Sequence, residues 1–116
     1  MSGESINPYA LECLYKVTKK KVAIEQLVNT YFIHLEKTIV ELSEDHPNDK
    51  LAKICHRIKG SSRNTGASAI AEKFQSLEVS LKSGEISAPL GAWLETLKPT
   101  IGSSKKDFSE LLAKFK

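Results

Sequence analysis

Apolar residues recur at steps of three and four positions over four long stretches of the chain, which predicts four amphipathic α-helices. We place these helices at residues 19–43, 47–65, 67–83 and 89–115. A shorter helix precedes them, opened by Asn7 as N-cap and Pro8 at the first helical position. No stretch alternates with period two over a useful length, so we expect no β-strand. We expect residues 1–6 to be frayed.

The connections between the predicted helices are short, which favours antiparallel neighbours. The predicted fold is therefore all-α: an antiparallel up-down-up-down four-helix bundle with a short extra N-terminal helix. The apolar series of the last helix continues across Pro99, which removes one backbone hydrogen bond and costs about 3 kcal/mol inside a helix. Gly102 adds to that cost. We therefore predict a kink or a brief break near Leu97 and Lys98.

The size and composition of the chain restrict the classes to which it can belong. Its 116 residues suffice for one domain but not for two, so we take residues 1–116 as a single domain. A net charge of +3 is too modest a basic excess to favour nucleic-acid binding, and the basic run at residues 19–21 lacks interleaved aromatic residues. A basic patch of this kind can still help to dock an acidic partner.

The sequence contains no signal peptide and no apolar run of transmembrane length, which predicts a cytoplasmic protein without a membrane anchor. Cys13 and Cys55 lie far apart and match no metal-binding or redox spacing. Cys55 falls on an apolar helix face, so we expect a buried, reduced thiol. The initial methionine suggests a free-standing protein, but a domain excised from a larger hybrid kinase would look the same.

His56 lies in the third predicted helix, on the face opposite the apolar stripe. Its neighbours on that face are small or cationic: Ala52 and Lys53 one turn before it, Lys59 and Gly60 one turn after it, and Arg63 two turns after it. Imidazole is a competent nucleophile near neutral pH, and a phosphoryl group on it would add about two negative charges and three acceptor oxygens. The neighbouring cations suit such a group.

The residues alone leave two interpretations of this surface open. In the first, Lys59 contacts the oxygens of a phosphoryl group on His56. Arg63 lies close enough along the helix to add positive charge, and Gly60 allows a phosphate or a partner's backbone to approach closely. The glycine costs the helix about 1 kcal/mol relative to alanine, which calls for a reason. In the second interpretation, His56 is an ordinary solvated histidine and Gly60 accommodates packing.

A resemblance to a known family favours the first interpretation. The run HRIKGSS that starts at His56, followed by Gly66 and Ala67, closely resembles the signature of histidine-containing phosphotransfer (HPt) domains. That signature is a histidine, two residues, Lys-Gly, small or polar residues, and then Gly-Ala at the opening of the next helix. In dimerising kinase domains, by contrast, an acidic residue follows the histidine directly and a proline follows soon after. Here Arg57 follows, and the next proline is Pro89.

The resemblance implies a phosphorelay intermediate rather than an enzyme. His56 would accept a phosphoryl group from an aspartyl-phosphate on the receiver domain of a hybrid histidine kinase, and pass it to an aspartate of a response regulator. The direction can reverse. The receiver would supply Mg²⁺ and most catalytic groups, so this chain would need no cofactor. Lys59 would hold phosphate oxygens and Gly60 would admit the partner. Nε2 of the ring would be modified, while a local acceptor would hold Nδ1.

Ala52 and Lys53 would contribute to the docking surface, with Arg63 as a secondary contact. The alternative is a helical adaptor or interaction module without phosphotransfer, which would need only the amphipathic pattern. We do not favour a metal-binding bundle, because none of the three histidines follows a glutamate by three positions. We expect a monomer, since a four-helix bundle encloses its own core.

Overall fold

The computed structural model describes residues 5–87 and 89–115, and within these ranges it is all-helical, without a β-strand. Its five helices are α1 (Tyr9–Thr18), α2 (Lys21–Ser43), α3 (Asn48–Thr65), α4 (Ser68–Ser83) and α5 (Gly91–Ala113). The prediction of an all-α protein is confirmed. No helix in the described ranges has the length and apolar character needed to cross a bilayer.

The start of α1 is set by a side-chain cap. Tyr9 donates its backbone N–H to Oδ1 of Asn7 at 3.1 Å, and Pro8 already has helical dihedral angles. Asn7 is therefore the capping residue, as predicted. At the other end of α1, Lys19 adopts a left-handed conformation with φ 54°, so α2 begins later than the pattern predicts.

Gly66 ends α3 in a left-handed conformation with φ 95°, as expected of a residue after a helix. Its backbone N–H donates to the carbonyls of Ser62 and Arg63, while its own carbonyl accepts a 2.7 Å hydrogen bond from Asn7. A Cβ at position 66 would collide with the backbone carbonyl of Asn7. Glycine is therefore required here both by the dihedral angle and by the close approach of the N-terminal segment.

That N-terminal segment is ordered by tertiary contacts that the sequence did not reveal. Ser5 donates its hydroxyl to Oδ2 of Asp107 on α5 at 2.5 Å, and its carbonyl accepts a hydrogen bond from Ala69 on α4. Ile6 is buried in the core. The expectation of fraying is therefore wrong for residues 5 and 6, because α4 and α5 both provide partners; residues 1–4 lie outside the described residues.

One connected core includes buried apolar side chains from all five helices. The face of α3 opposite His56 is buried as the periodicity predicts, at Leu51, Ile54, Cys55, Ile58 and Ser62. Ser62 shares a 2.6 Å hydrogen bond with the hydroxyl of Tyr31, so its small side chain allows α2 to approach closely. Burial raises the pKa of Tyr31 to about 12, although the bond to Ser62 acts in the opposite direction.

Helix α5 runs without interruption through Pro99, so it is not broken at residues 97 and 98. Leu97 before the proline and Phe108 after it are both buried in the same core, whereas Pro99 itself is exposed. Trp93 packs against Phe74 of α4, with ring centroids 5.3 Å apart. Burial on both sides of Pro99 therefore offsets the backbone hydrogen bond that the proline removes.

Candidate functional site

His56 lies in the middle of α3, and 70% of its side chain is exposed. The opposite face of the helix is held in the core by Leu51, Ile54 and Ile58, each nearly inaccessible to solvent. Since residues of one helix turn by 100° each, burial of that face directs the ring outwards. The periodicity of the sequence was therefore sufficient to predict the orientation of His56.

Glu78 on α4 is the local partner of the ring, and sequence reasoning did not find it. Its Oε2 lies 3.2 Å from Nδ1 of His56, and only 5% of its side chain is exposed. Burial alone would raise the pKa of this carboxyl, but hydrogen bonds from Lys59 and Lys82, with their charges, lower it to about 2. Glu78 is consequently ionised near neutral pH and can only accept hydrogen bonds.

The negative charge of Glu78 determines which nitrogen of the imidazole carries the hydrogen. An ionised carboxylate has no proton to donate, so the hydrogen between Oε2 and Nδ1 belongs to the ring. In the neutral imidazole, the other nitrogen, Nε2, then carries the free lone pair. The contact with Glu78 thus leaves Nε2, and not Nδ1, as the ring nitrogen with a free lone pair.

Lys59 points towards α4 rather than freely into solvent. Its Nζ lies 2.7 Å from Oε1 of Glu78 and 2.8 Å from Oε1 of Gln75, and its side chain is only 11% exposed. The spacing of Lys59 from His56 predicted that this ammonium would contact the oxygens of a phosphoryl group on the ring. It is instead bound in a buried ion pair, because the acceptors of α4 lie within reach of its stem. Its role as a phosphate contact stays a prediction.

Gly60 is exposed, and a Cβ added there would meet no atom within 4 Å. Packing among the described residues therefore does not require a glycine at this position, which contradicts the packing interpretation left open above. Ala52 is buried rather than exposed, because the start of α3 packs closely into the core, whereas Lys53 is exposed. Arg63 is exposed further along α3.

An open groove of about 550 Å³ runs beside His56 between α3 and α4. Most of its lining residues are charged, and the exposed ring of His56 is among them: Asp49, Ala52, Lys53, His56, Arg57, Glu78 and Lys82. Arg63, which the sequence places two turns after His56, is not among the residues that line this groove. Arg57 is held by Glu41 of α2 at 3.1 Å. Lys82 binds Oε2 of Glu78 at 3.0 Å.

One sequence signal could have indicated Glu78. Phe74, Leu77 and Leu81 form the apolar stripe of α4, and Glu78 lies within that stripe, four positions after Phe74 and three before Leu81. A carboxylate on a core-facing position calls for a buried cation or a hydrogen-bond donor. The pattern therefore predicts that Glu78 has a partner, but only the docking of α3 against α4 shows that the partners include His56 and Lys59.

Comparison with curated proteins and with solved structures gives no match. A family model described as Hpt domain matches residues 23–101, a region that contains all of α3 and α4, nearly all of α2 and the first half of α5. The matched region includes His56, Lys59, Gly60 and Glu78. Because it spans more than half of the chain, this protein belongs to the Hpt domain family, whose members take part in phosphotransfer in two-component signalling.

Proposed function

We propose that His56 is the phosphoacceptor of a phosphorelay, taking the phosphoryl group from an aspartyl-phosphate on a receiver domain and passing it to an aspartate of a response regulator. The supporting observation is the pairing of an exposed imidazole with a buried, ionised carboxylate. Nδ1 is occupied as a hydrogen-bond donor to Glu78 at 3.2 Å, which leaves Nε2 as the nucleophile.

In the forward step, the Nε2 lone pair attacks phosphorus, forming an N–P bond as the P–O bond to the aspartate breaks. The receiver's aspartate leaves as a free carboxylate. Because Nδ1 keeps its hydrogen, the ring gains positive charge during the attack, and the negative charge of Glu78 stabilises it. The reverse sequence of bonds delivers the group to the next aspartate. Mg²⁺ held by the receiver would neutralise negative charge on the phosphoryl oxygens.

Lys59 can take part without leaving Glu78. An ammonium group has three hydrogens, and Glu78 and Gln75 account for two of them. The third is available to a phosphoryl oxygen on His56. Lys59 would thus both keep Glu78 ionised and contact the transferred group.

Gly60 would admit the receiver's backbone, since no side chain stands there and no neighbouring atom fills the space. Lys53 would contribute to docking from the rim of the groove, and Ala52 from its buried wall. Arg63 would supply a positive field further along α3. We further infer that α2 to α5 alternate in direction, as their short connections favour. Residues 1–116 would act as one cytoplasmic, monomeric domain, a phosphocarrier without a kinase or phosphatase active site of its own.

The test is transfer from phosphorylated receiver domains of the same organism, with initial rates compared across the panel. The wild-type chain should acquire an acid-labile, alkali-stable label. His56→Gln should abolish it, whereas His34→Gln, at an exposed position on α2, should leave it unchanged. A label that persists in His56→Gln would overturn the assignment. A folded wild-type chain that no receiver labels would favour the adaptor without phosphotransfer.

A further inference from the structure

Lys82 shares an acceptor with the ring of His56. Its Nζ lies 3.0 Å from Oε2 of Glu78, and Nδ1 of His56 lies 3.2 Å from the same oxygen. Lys59 binds the other oxygen, Oε1. Each oxygen of the carboxylate therefore binds one lysine, and Lys82 binds the oxygen that also contacts the imidazole.

The two lysines differ in their freedom to move. The side chain of Lys82 is 66% exposed, whereas the carboxylate that it contacts one helical turn away is only 5% exposed. An ammonium that leaves Oε2 returns to solvent, and Glu78 keeps its hydrogen bonds to Lys59 and to Nδ1 of His56. Lys59 is buried and has a second acceptor in Gln75, so its release would leave a buried charge without its partner. Of the two lysines, Lys82 is therefore the one whose departure leaves no buried charge without a partner.

The other cations of the groove are less suited to a group on Nε2. Arg57 is held at the α2 side by Glu41, at 3.1 Å. Lys53 lies on the rim and has no contact with the residue that orients the ring. Among the cations lining the groove, Lys82 is thus the one in direct contact with the carboxylate that holds His56.

We propose, resting on the function proposed above, that Lys82 is a phosphate-binding residue whose ammonium moves from Oε2 of Glu78 to a phosphoryl oxygen on His56 and returns when the group leaves. No covalent bond to Lys82 forms. Its departure leaves Nδ1–H of His56 as the donor on Oε2, which strengthens the hydrogen bond that stabilises positive charge on the ring. The new contact between the ammonium and the phosphoryl group, and the stronger hydrogen bond from Nδ1–H to Glu78, both favour the phosphorylated state and the transition states for transfer to and from His56.

The test compares Lys82→Met, which keeps the length of the stem but removes the charge, with Lys82→Arg and with Lys106→Met as a matched control outside the groove. Loss of one charge-assisted hydrogen bond should slow transfer from a phosphorylated receiver about tenfold in Lys82→Met. Lys82→Arg should retain most of the rate, and Lys106→Met, at an exposed position on α5 that does not line the groove, should stay within about twofold, as surface substitutions usually do.

A second readout separates phosphate binding from docking. The ³¹P resonance of the phosphohistidine titrates as the phosphoryl group takes up its last proton, and a nearby ammonium lowers the midpoint of that titration. The midpoint should rise in Lys82→Met and stay at the wild-type value in Lys106→Met. A slower transfer with an unchanged midpoint would assign Lys82 to docking and overturn the proposal.

Failure of the proposal is distinguishable from failure of the proposed function. If wild-type His56 is phosphorylated but Lys82→Met matches Lys106→Met in rate and midpoint, the role of Lys82 is wrong and the relay function stands. If no label reaches wild-type His56, the relay function fails and the role of Lys82 fails with it.

Discussion

Nζ of Lys59 lies 2.7 Å from Oε1 of Glu78, and both side chains are almost inaccessible to solvent. The lysine of the HRIKGSS run is therefore part of the connection between α3 and α4 as well as a candidate phosphate contact. The same carboxylate orients His56 through its other oxygen. Stability and chemistry are thus coupled through one buried ion pair, and experiments on either residue must measure both.

Lys59→Met should destabilise the folded state. The substitution keeps most of the buried stem but leaves Glu78 without its buried cation, which we expect to lower the free energy of unfolding by about 2–3 kcal/mol. Urea denaturation measures this change. Lys53→Met, an exposed substitution on the same helix, should change it by less than about 0.5 kcal/mol.

A second substitution tests whether the loss comes from the unpaired carboxylate. Adding Glu78→Gln to Lys59→Met removes the unpaired charge, so the double variant should be less destabilised than the sum of the two single variants. Strict additivity would show that the two side chains do not interact in the folded protein.

The stability of the protein should depend on pH through Glu78. Its pKa is about 2 in the folded state and about 4.3 for a free glutamate, so the folded state favours the ionised form. The stabilisation is fully present above about pH 4.3 and is lost as the pH falls from there towards about 2. The free energy of unfolding should therefore decline less steeply over this window in Glu78→Gln than in the wild-type chain. Parallel profiles for the two proteins would contradict the assigned pKa.

Gly60→Ala should separate helix stability from access to the site. A Cβ at position 60 meets no atom of the described residues within 4 Å, and alanine is the better helix former, so the free energy of unfolding should rise by about 1 kcal/mol. Transfer from a receiver should nevertheless slow, because the methyl group would stand in the partner's path. Labelling by phosphoramidate, a small donor, should be unaffected.

Gly102→Ala is the matched control for this experiment. Gly102 also lies inside a helix, and a Cβ there would likewise meet nothing within 4 Å. It should gain similar stability and keep the wild-type rate of transfer from the receiver. Equal rates for the two variants would remove the proposed role of Gly60 in partner access.

Gly66→Ala and Gly84→Ala should differ in cost although both glycines have positive φ angles, 95° and 78°. At Gly84 the added Cβ meets open space, so only the left-handed conformation is penalised, by about 1–2 kcal/mol. At Gly66 the Cβ also collides with the carbonyl of Asn7, which should raise the total loss to about 3 kcal/mol or more. Denaturation of both variants measures the difference. Equal losses would mean that the N-terminal segment yields without cost.

The periodic pattern of the sequence was sufficient for most features that depend on one helix at a time, but not for the continuity of α5 through Pro99. It predicted the five helices, the buried face of α3, the outward direction of His56 and the turn at Gly66. These features follow from local geometry, because the 100° step of a helix relates the burial of Leu51 and Ile58 directly to the exposure of His56. The motif around His56 also lies within a single helix and its following turn.

Tertiary structure decided every feature that joins two helices. Glu78 meets His56 and Lys59 only because α4 docks against α3, and that docking gives the lysine two acceptors on α4 that its spacing from His56 does not reveal. Ser5 is ordered by Asp107, and Pro99 is tolerated because residues on both sides of it are buried. Such contacts depend on the relative placement of segments distant along the chain. Helical periodicity specifies which face of each helix is buried, but not which side chain of another helix lies against it.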